Sequence, residues 1–330
     1  MTRSKGRRRF DLLIAGELNP DIIVTGEDVE PAFGQVERLV ERIALTVGSS
    51  SAITACGAVR LGLKVAFVGV VGDDPFGRWM LDALAARGVD VAACRIDPSL
   101  PTGASVILAR RRDRAILTSI GTIAALTGAD LPDELLATAR HIHVGSLFLQ
   151  DRLRNDLAAA FSRARSLGVT TSVDPNWDPL GTWDGGLSRI LEATDLVLPN
   201  REEAHRIAGI EDDVEAGRRL ALPGPVVAMK LGADGGLVFA RETASRVDAP
   251  HADVVDTVGA GDAFDAGFLL GWLDGAAPED CLRLAVACGS LSVRAVGGTA
   301  GQAGRDEAEE IAERLTARRM SIPSTSRASA

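Results

Sequence analysis

Nine residues, Asp256-Thr257-Val258-Gly259-Ala260-Gly261-Asp262-Ala263-Phe264, restrict what this chain can become more than any other stretch. A β-type pair (Val254, Val255) leads in, two glycines turn the backbone, and an apolar helix leads out to Gly275. Phe264, Phe268 and Trp272 recur at i, i+4 and i+8, which predicts a helix with one buried face. Gly259 and Gly261 at its mouth allow close backbone approach. A helix N-terminus with free N–H groups and a positive dipole end is an anion site. Asp262 then puts a carboxylate where an anion is expected. The pairing makes chemical sense if the anion is a phosphoryl group in transit and the carboxylate takes a proton from the attacking hydroxyl.

The rest of the chain alternates short apolar runs with helical periods. Val65 to Val71, His141 to Val144, Val169 to Val173, Leu196 to Leu198 and Val226 to Leu231 read as strands, most of them followed by a helix. That rhythm predicts a parallel sheet with crossover helices. The length of 330 residues admits one large α/β domain or two smaller ones, and 46% hydrophobic residues suffice for a sizeable core. Thirty-six basic against 45 acidic residues give a net charge of −9, which argues against nucleic acid as a partner. Cys56, Cys94, Cys281 and Cys288 lack C-x-x-C spacing and read as reduced, buried thiols of a cytoplasmic protein. Residues 1–9 read as a solvated basic tail, since the apolar run behind them is too short for a signal peptide, and no stretch approaches a membrane span. Residues 321–330, rich in Ser, Ala and Pro, read as a frayed end.

Several constellations stand at the ends of these runs. Asn19 and Asp21 flank Pro20 just past the first strand, the end where open α/β sheets bind ligands, although all three residues also favour turns. Gly48-Ser49-Ser50-Ser51 opens a helix with both N-caps and a close-approach loop. Asn200 and Glu203 have capping-box spacing and also suit a polar pair holding magnesium or its waters. Gly232 to Gly236 is a tight turn. His141 and His143 share one strand face, and with no third ligand nearby a polar face is expected rather than a metal site. The runs 102–109 and 115–119 make a hairpin whose arginine-rich tip reads as solvated surface. Together with 21–26 and 43–47 they lack intervening helices, as a separate small sheet would.

These residues resemble the ribokinase-like, or PfkB-type, carbohydrate kinases over roughly residues 10–305. Asp256 to Asp262 is similar to the family's C-terminal signature, and Gly48 with the runs to Gly62 and Gly69–Gly77 to its N-terminal signature. Asn200-x-x-Glu203 matches the N-x-x-E motif, and Lys230-Leu231-Gly232 through Asp234 and Gly235 the nucleotide-binding turn. The resemblance implies a three-layer α/β/α sandwich with a mostly parallel sheet, a single kinase domain over 10–312, and a β-lid drawn from about 18–26, 43–47 and 102–119. It implies ATP and Mg²⁺ as cofactors, with Asp262 as catalytic base and Gly259, Ala260 and Gly261 as anion hole. Asn200, Glu203, Lys230, Gly232, Asp234 and Gly235 would serve the nucleotide, with Glu203 acting on Mg²⁺ through waters. Asn19, Asp21, Gly48 and Ser49 would line the acceptor site, and Asp256 matches a position that helps bind a monovalent cation such as K⁺ in some relatives. The lid often makes a homodimer interface.

Two departures fall on the acceptor side. Ala52 stands where many members have Asn, and Trp177 and Asp178 follow Asp174-Pro175-Asn176 where some sugar-acid kinases carry Arg. The expected activity is transfer of the γ-phosphate to a primary hydroxyl of an uncharged sugar, with a nucleoside as the alternative acceptor. A catalytically dead sugar sensor would be expected to lose Asp262 or its glycines. A dinucleotide-binding oxidoreductase fits poorly, because Phe264 occupies the third glycine position of that fingerprint.

Overall fold

The computed structural model describes residues 8–110, 113–184, 186–241 and 243–320. Its main sheet has nine strands in the spatial order Ala317–Met320, Thr243–Val247, Gly236–Ala240, Val226–Lys230, Leu196–Val197, Thr170–Val173, Ala139–Val144, Phe10–Ala15 and Val65–Val68. Pairing is parallel from Val226–Lys230 to Val65–Val68 and antiparallel at the other edge. Strand Phe10–Ala15 shows why the layers form. Leu12 and Ile14 enter one apolar core while Leu13 and Ala15 enter another. A strand covered on both faces needs an unbroken apolar run, and this one has it.

Helices Ser50–Arg60, Ala260–Asp274 and Pro278–Ser292 contribute to the core on the Leu12 side; Asp151–Ser166 and Asp213–Ala221 contribute to the other. A second sheet has the order Arg42–Val47, Pro20–Thr25, Ala104–Arg110, Asp113–Ser119. These are the helix-free runs, and their separation follows from composition. Ile43, Leu45 and Leu117 are exposed on one face, so no helical layer covers it. Among the described residues no helix is long and apolar enough to cross a membrane.

The structure departs from expectation in several places. Val254 and Val255 form no strand; they lie exposed in an extended loop, tied to the Val293 carbonyl through the N–H groups of Val255 and Asp256. Helix Ala260–Asp274 buries nearly its whole circumference, because it packs against two helices as well as the sheet. A domain end at 312 is too early, since strand Ala317–Met320 completes the antiparallel edge beside Thr243–Val247. The basic tail is shorter than nine residues: Arg8 donates to the carbonyls of Ala139 and Leu167, and Arg9 pairs with Asp90 at 2.9 Å. The rest of that tail (1–7), the C-terminal segment 321–330 and the hairpin-tip residues 111–112 lie outside the described residues.

Candidate active site

The loop entering helix Ser50–Arg60 ties its three serines to Glu17 and Asp262. Ser49 Oγ accepts from Ala52 N at 3.0 Å as the N-cap and donates to the Glu17 carbonyl at 2.6 Å. Ser50 Oγ donates to Asp262 Oδ1. Ser51 Oγ donates to Glu17 Oε2 at 2.7 Å. Gly48 is glycine for a steric reason, because a Cβ there would lie 2.2 Å from Asp21 Oδ1. Removing the side chain admits the Asp21 carboxylate beneath the loop. Burial pushes Asp21 up to about 6, the neighbouring Glu17 adds to the rise, and Arg114 opposes it. Asn19, in the loop just before strand Pro20–Thr25, is also buried.

Opposite this loop stands the glycine turn. Gly259 adopts φ +76° at the N-cap, and a Cβ would strike Gly298 at 2.6 Å. The turn therefore needs glycine for conformation and for space. Ala260, Gly261 and Asp262 form the first turn of the helix, whose N–H groups have no preceding helical carbonyls to bond. Asp262 is half-buried. Burial raises it to about 7, against the Ser50 hydrogen bond and the Lys230 charge, which both pull it down. With Oδ1 held by Ser50, Oδ2 is the oxygen left for an incoming proton.

Behind the turn lies a buried ion cluster. Lys230 Nζ stands 2.9 Å from both Asp174 Oδ2 and Asp265 Oδ2. Asp174, Asp262 and Asp265 each bring an oxygen within 4.8 Å of the others, the donor set of a hard cation. The Lys230 ammonium already occupies the cation's electrostatic place for two of them. Its charge, after the cost of burial, holds the Asp174 carboxyl below its usual range, while burial drives Asp265 well above it. This differs from the nucleotide-side role expected of Lys230: its backbone borders the 232–235 turn, but its side chain is committed inward.

Asn200 and Glu203 cap helix Arg201–Ala208 reciprocally. Asn200 Oδ1 accepts from Glu203 N at 2.9 Å, and Glu203 Oε2 accepts from Asn200 N at 2.8 Å. Lys230 N bonds the Pro199 carbonyl at 2.9 Å, so the cap is fixed beside the cluster. Glu203 is buried and raised to about 8, by burial first and by Asp174 second. The turn Gly232–Asp234 with Gly235 follows, but Asp234 is exposed and paired with Arg201 at 3.0 Å. Asp256 accepts from Val258 N at 3.0 Å and from Gly297 N at 2.8 Å, tying two loops together.

The structure therefore gathers Asp21, Gly48 and Ser49 on one side of Asp262, and Asn200, Glu203 and Lys230 on another. The candidate site residues read from sequence did not include Glu17, Ser50, Ser51, Ser146, Asn176, Asp174 and Asp265. Glu17 is a hub, accepting from Ser51 and, at 2.8 Å, from Ser146, whose Oγ accepts from Asn176 Nδ2 at 2.9 Å. A carboxylate directly after an apolar strand was the available signal for Glu17. Asp178 organises the next loop, accepting from the N–H groups of Leu180, Thr182 and Trp183 at 2.9, 2.8 and 2.7 Å.

Comparison with known proteins identifies the family. Residues 10–303 match the pfkB family carbohydrate kinase profile. The chain is 30% identical over 281 residues to a 2-dehydro-3-deoxygluconokinase of Thermoproteus tenax, covering 82% of this chain and 86% of that one. It is 34% identical over 277 residues to a fructokinase of Klebsiella pneumoniae, covering 78% and 88%. The crystal structure of adenosine kinase from Sinorhizobium meliloti superposes with a TM-score of 0.81 at 24% identity, over 92% of this chain and 99% of that one. The chain belongs to the pfkB family of carbohydrate kinases.

Proposed function

We propose that this kinase moves the γ-phosphoryl group of ATP to a primary hydroxyl of an uncharged sugar, with Asp262 as general base. One observation carries the reading: a half-buried carboxylate, raised by burial to about 7 and steadied through Oδ1 by Ser50, stands in the first turn of a helix that no side chain caps, with the Ala260 N–H at 3.3 Å from the Thr257 carbonyl. The acceptor hydroxyl gives its proton to Asp262 Oδ2 as its oxygen attacks phosphorus. The N–H groups of Gly259, Ala260 and Gly261 then meet charge spreading over the equatorial oxygens.

The acids of the site suit Mg²⁺, since Asp262 and Glu203 are hard oxygen donors that burial raises and that neighbouring acids raise further. Bound with the triphosphate, the ion supplies charge neutralisation, and Asn200 and Glu203 would hold its waters. Gly232 and Gly235, with Asp234, would border the nucleotide. A monovalent cation such as K⁺ would bind near Asp256.

On the acceptor side Asn19, Asp21, Gly48 and Ser49 would receive the sugar, with Asp21 gripping its hydroxyls. Glu17 and Asp21 make that side acidic, and Asp178, not a cation, follows Asp174-Pro175-Asn176. A phosphorylated sugar or sugar acid would meet repulsion there. A nucleoside is the second reading, favoured by Trp177, which is 52% exposed beside Asn176 and packs edge-on against Trp183 at 5.1 Å. The exposed apolar face of the lid suits a homodimer.

The test is ADP release with ATP and Mg²⁺ across neutral hexoses and pentoses, sugar acids, sugar phosphates and nucleosides. A neutral sugar should give the highest kcat/KM. Highest turnover with an anionic acceptor would overturn the charge argument.

A further inference from the structure

Three non-glycine residues around the site hold a left-handed backbone: Ser49 at φ +69°, Ser146 at +49° and Asn176 at +55°. Such conformations persist only where surrounding contacts impose them, and here the contacts converge on Glu17. Ser49 Oγ donates to the Glu17 carbonyl at 2.6 Å. Ser146 Oγ donates to Glu17 Oε1 at 2.8 Å, and Asn176 Nδ2 donates to Ser146 Oγ at 2.9 Å. Ser51 reaches the same carboxylate from the helix, its N–H donating to Oε1 at 3.3 Å and its Oγ to Oε2 at 2.7 Å. Two strand ends are shaped to admit that serine, since a Cβ on Gly16 or Gly145 would lie 2.0 or 2.4 Å from Ser51 Oγ. Glu17 is 3% exposed, so these donors rather than solvent satisfy it.

The chemistry of the groups fixes the direction of each bond. Ser146 has one hydroxyl proton and gives it to Glu17, so toward Asn176 it can only accept. Asn176 must then turn Nδ2 to Ser146. Its Oδ1 accepts from Trp177 N at 2.8 Å, a partner that can only donate, so both ends of the amide agree. Asn176 is partly exposed, and its second Nδ2–H has no partner among the described residues. On the other side, Ser50 immediately precedes Ser51 in the first turn of helix Ser50–Arg60, and its Oγ donates to Asp262 Oδ1. Pinning Ser51 through both backbone and side chain fixes where Ser50 stands.

We propose that Glu17 is a positioning residue with two arms: through Ser51 it seats Ser50 against Asp262, and through Ser146 it turns the Asn176 amide so that an N–H is offered to a hydroxyl or ring oxygen of the acceptor. The kinetic consequences rest on Asp262 being the base and on the acceptor lying beside Asn176, whereas the amide's orientation does not. The first test therefore needs no turnover. The full chain is labelled with ¹⁵N-asparagine, which reports Asn19, Asn155, Asn176 and Asn200, and the Asn176 side-chain amide is assigned with Asn176→Asp. Its hydrogen exchange should quicken by about tenfold in both Ser146→Ala and Glu17→Ala, the scale of one hydrogen bond. Unchanged exchange in Glu17→Ala would overturn the Asn176 arm whether or not the chain turns over any acceptor. The second test is kinetic, with the acceptor that gives the highest turnover. Ser51→Ala should lower kcat about threefold with acceptor KM little changed, and Ser146→Ala should raise acceptor KM about fivefold with kcat little changed. Glu17→Ala should do both, and adding either serine change to it should cost nothing more. Glu17→Gln keeps an oxygen for Ser146, so its acceptor KM should stay within about twofold of wild type. Additive double variants, or kcat and acceptor KM changing together in every variant, would overturn the proposal. If Glu17→Ala does not fold, Glu17→Gln beside Ser146→Ala decides, and an acceptor KM raised equally in both would overturn it.

Discussion

Two sets of carboxylates share this site, and they differ in whether a lysine reaches them. Asp174 and Asp265 are closed around Lys230, each 2.9 Å from its ammonium. Asp21, Asp262 and Glu203 have no ion-pair partner among the described residues, and burial lifts them to about 6, 7 and 8. One set carries its cation within the fold. The other is left for what ligands bring: hydroxyls, a metal-bound triphosphate and a proton in transit. Acid clusters that look alike in composition thus separate into framework and chemistry according to whether a lysine reaches them.

Lys230→Met breaks that division most severely. Leaving Asp174 buried and unpaired should destabilise the fold by about 3–5 kcal/mol, measured by urea unfolding. The penalty should be larger at pH 8 than at pH 5. The paired carboxyl is depressed, so its stabilisation is present above the unfolded pKa and is lost as pH falls through the folded one. Without the lysine, Asp174 rises and takes a proton in mild acid, which removes much of the cost. An equal penalty at both pH values would mean that Asp174 is not the group left stranded.

The unneutralised set should respond through function. Asp21→Asn should raise the acceptor KM by about tenfold, the scale of one charged hydrogen bond, with kcat and ATP binding little changed. A drop in kcat alone would move Asp21 out of acceptor binding. Ser50→Ala should have the smallest effect, about fivefold in kcat/KM, with a diagnostic direction. Wild-type kcat/KM should fall as pH drops through about 7, where Asp262 takes up its proton. Ser50 lowers that pKa, so its loss should shift the acid limb to higher pH. A shift to lower pH would contradict the hydrogen bond's assigned role.

Much of this was legible in the sequence because local chemistry fixed it. Parallel strands buried on both faces must be apolar runs, and a glycine turn before an apolar helix announces its own geometry, so the sheet and the Gly259–Asp262 mouth read directly. The Asn200–Glu203 cap was legible as a cap, since its spacing is the interaction. What escaped depends on long-range pairing. Lys230 meets Asp174 and Asp265 from 56 and 35 residues away, and Ser50 meets Asp262 across 212. No period or spacing announces such contacts. Val254 and Val255 mislead for the converse reason: their β propensity is real, but no neighbouring strand edge takes them up.

The central claim is that Asp262 takes the acceptor's proton. It is tested most directly by acceptor-dependent ADP release from Asp262→Asn beside wild type, with ATP affinity measured separately. A fall in turnover of about a hundredfold or more, the scale of losing a general base, with ATP affinity largely kept, is the predicted result. Near-normal turnover would contradict it.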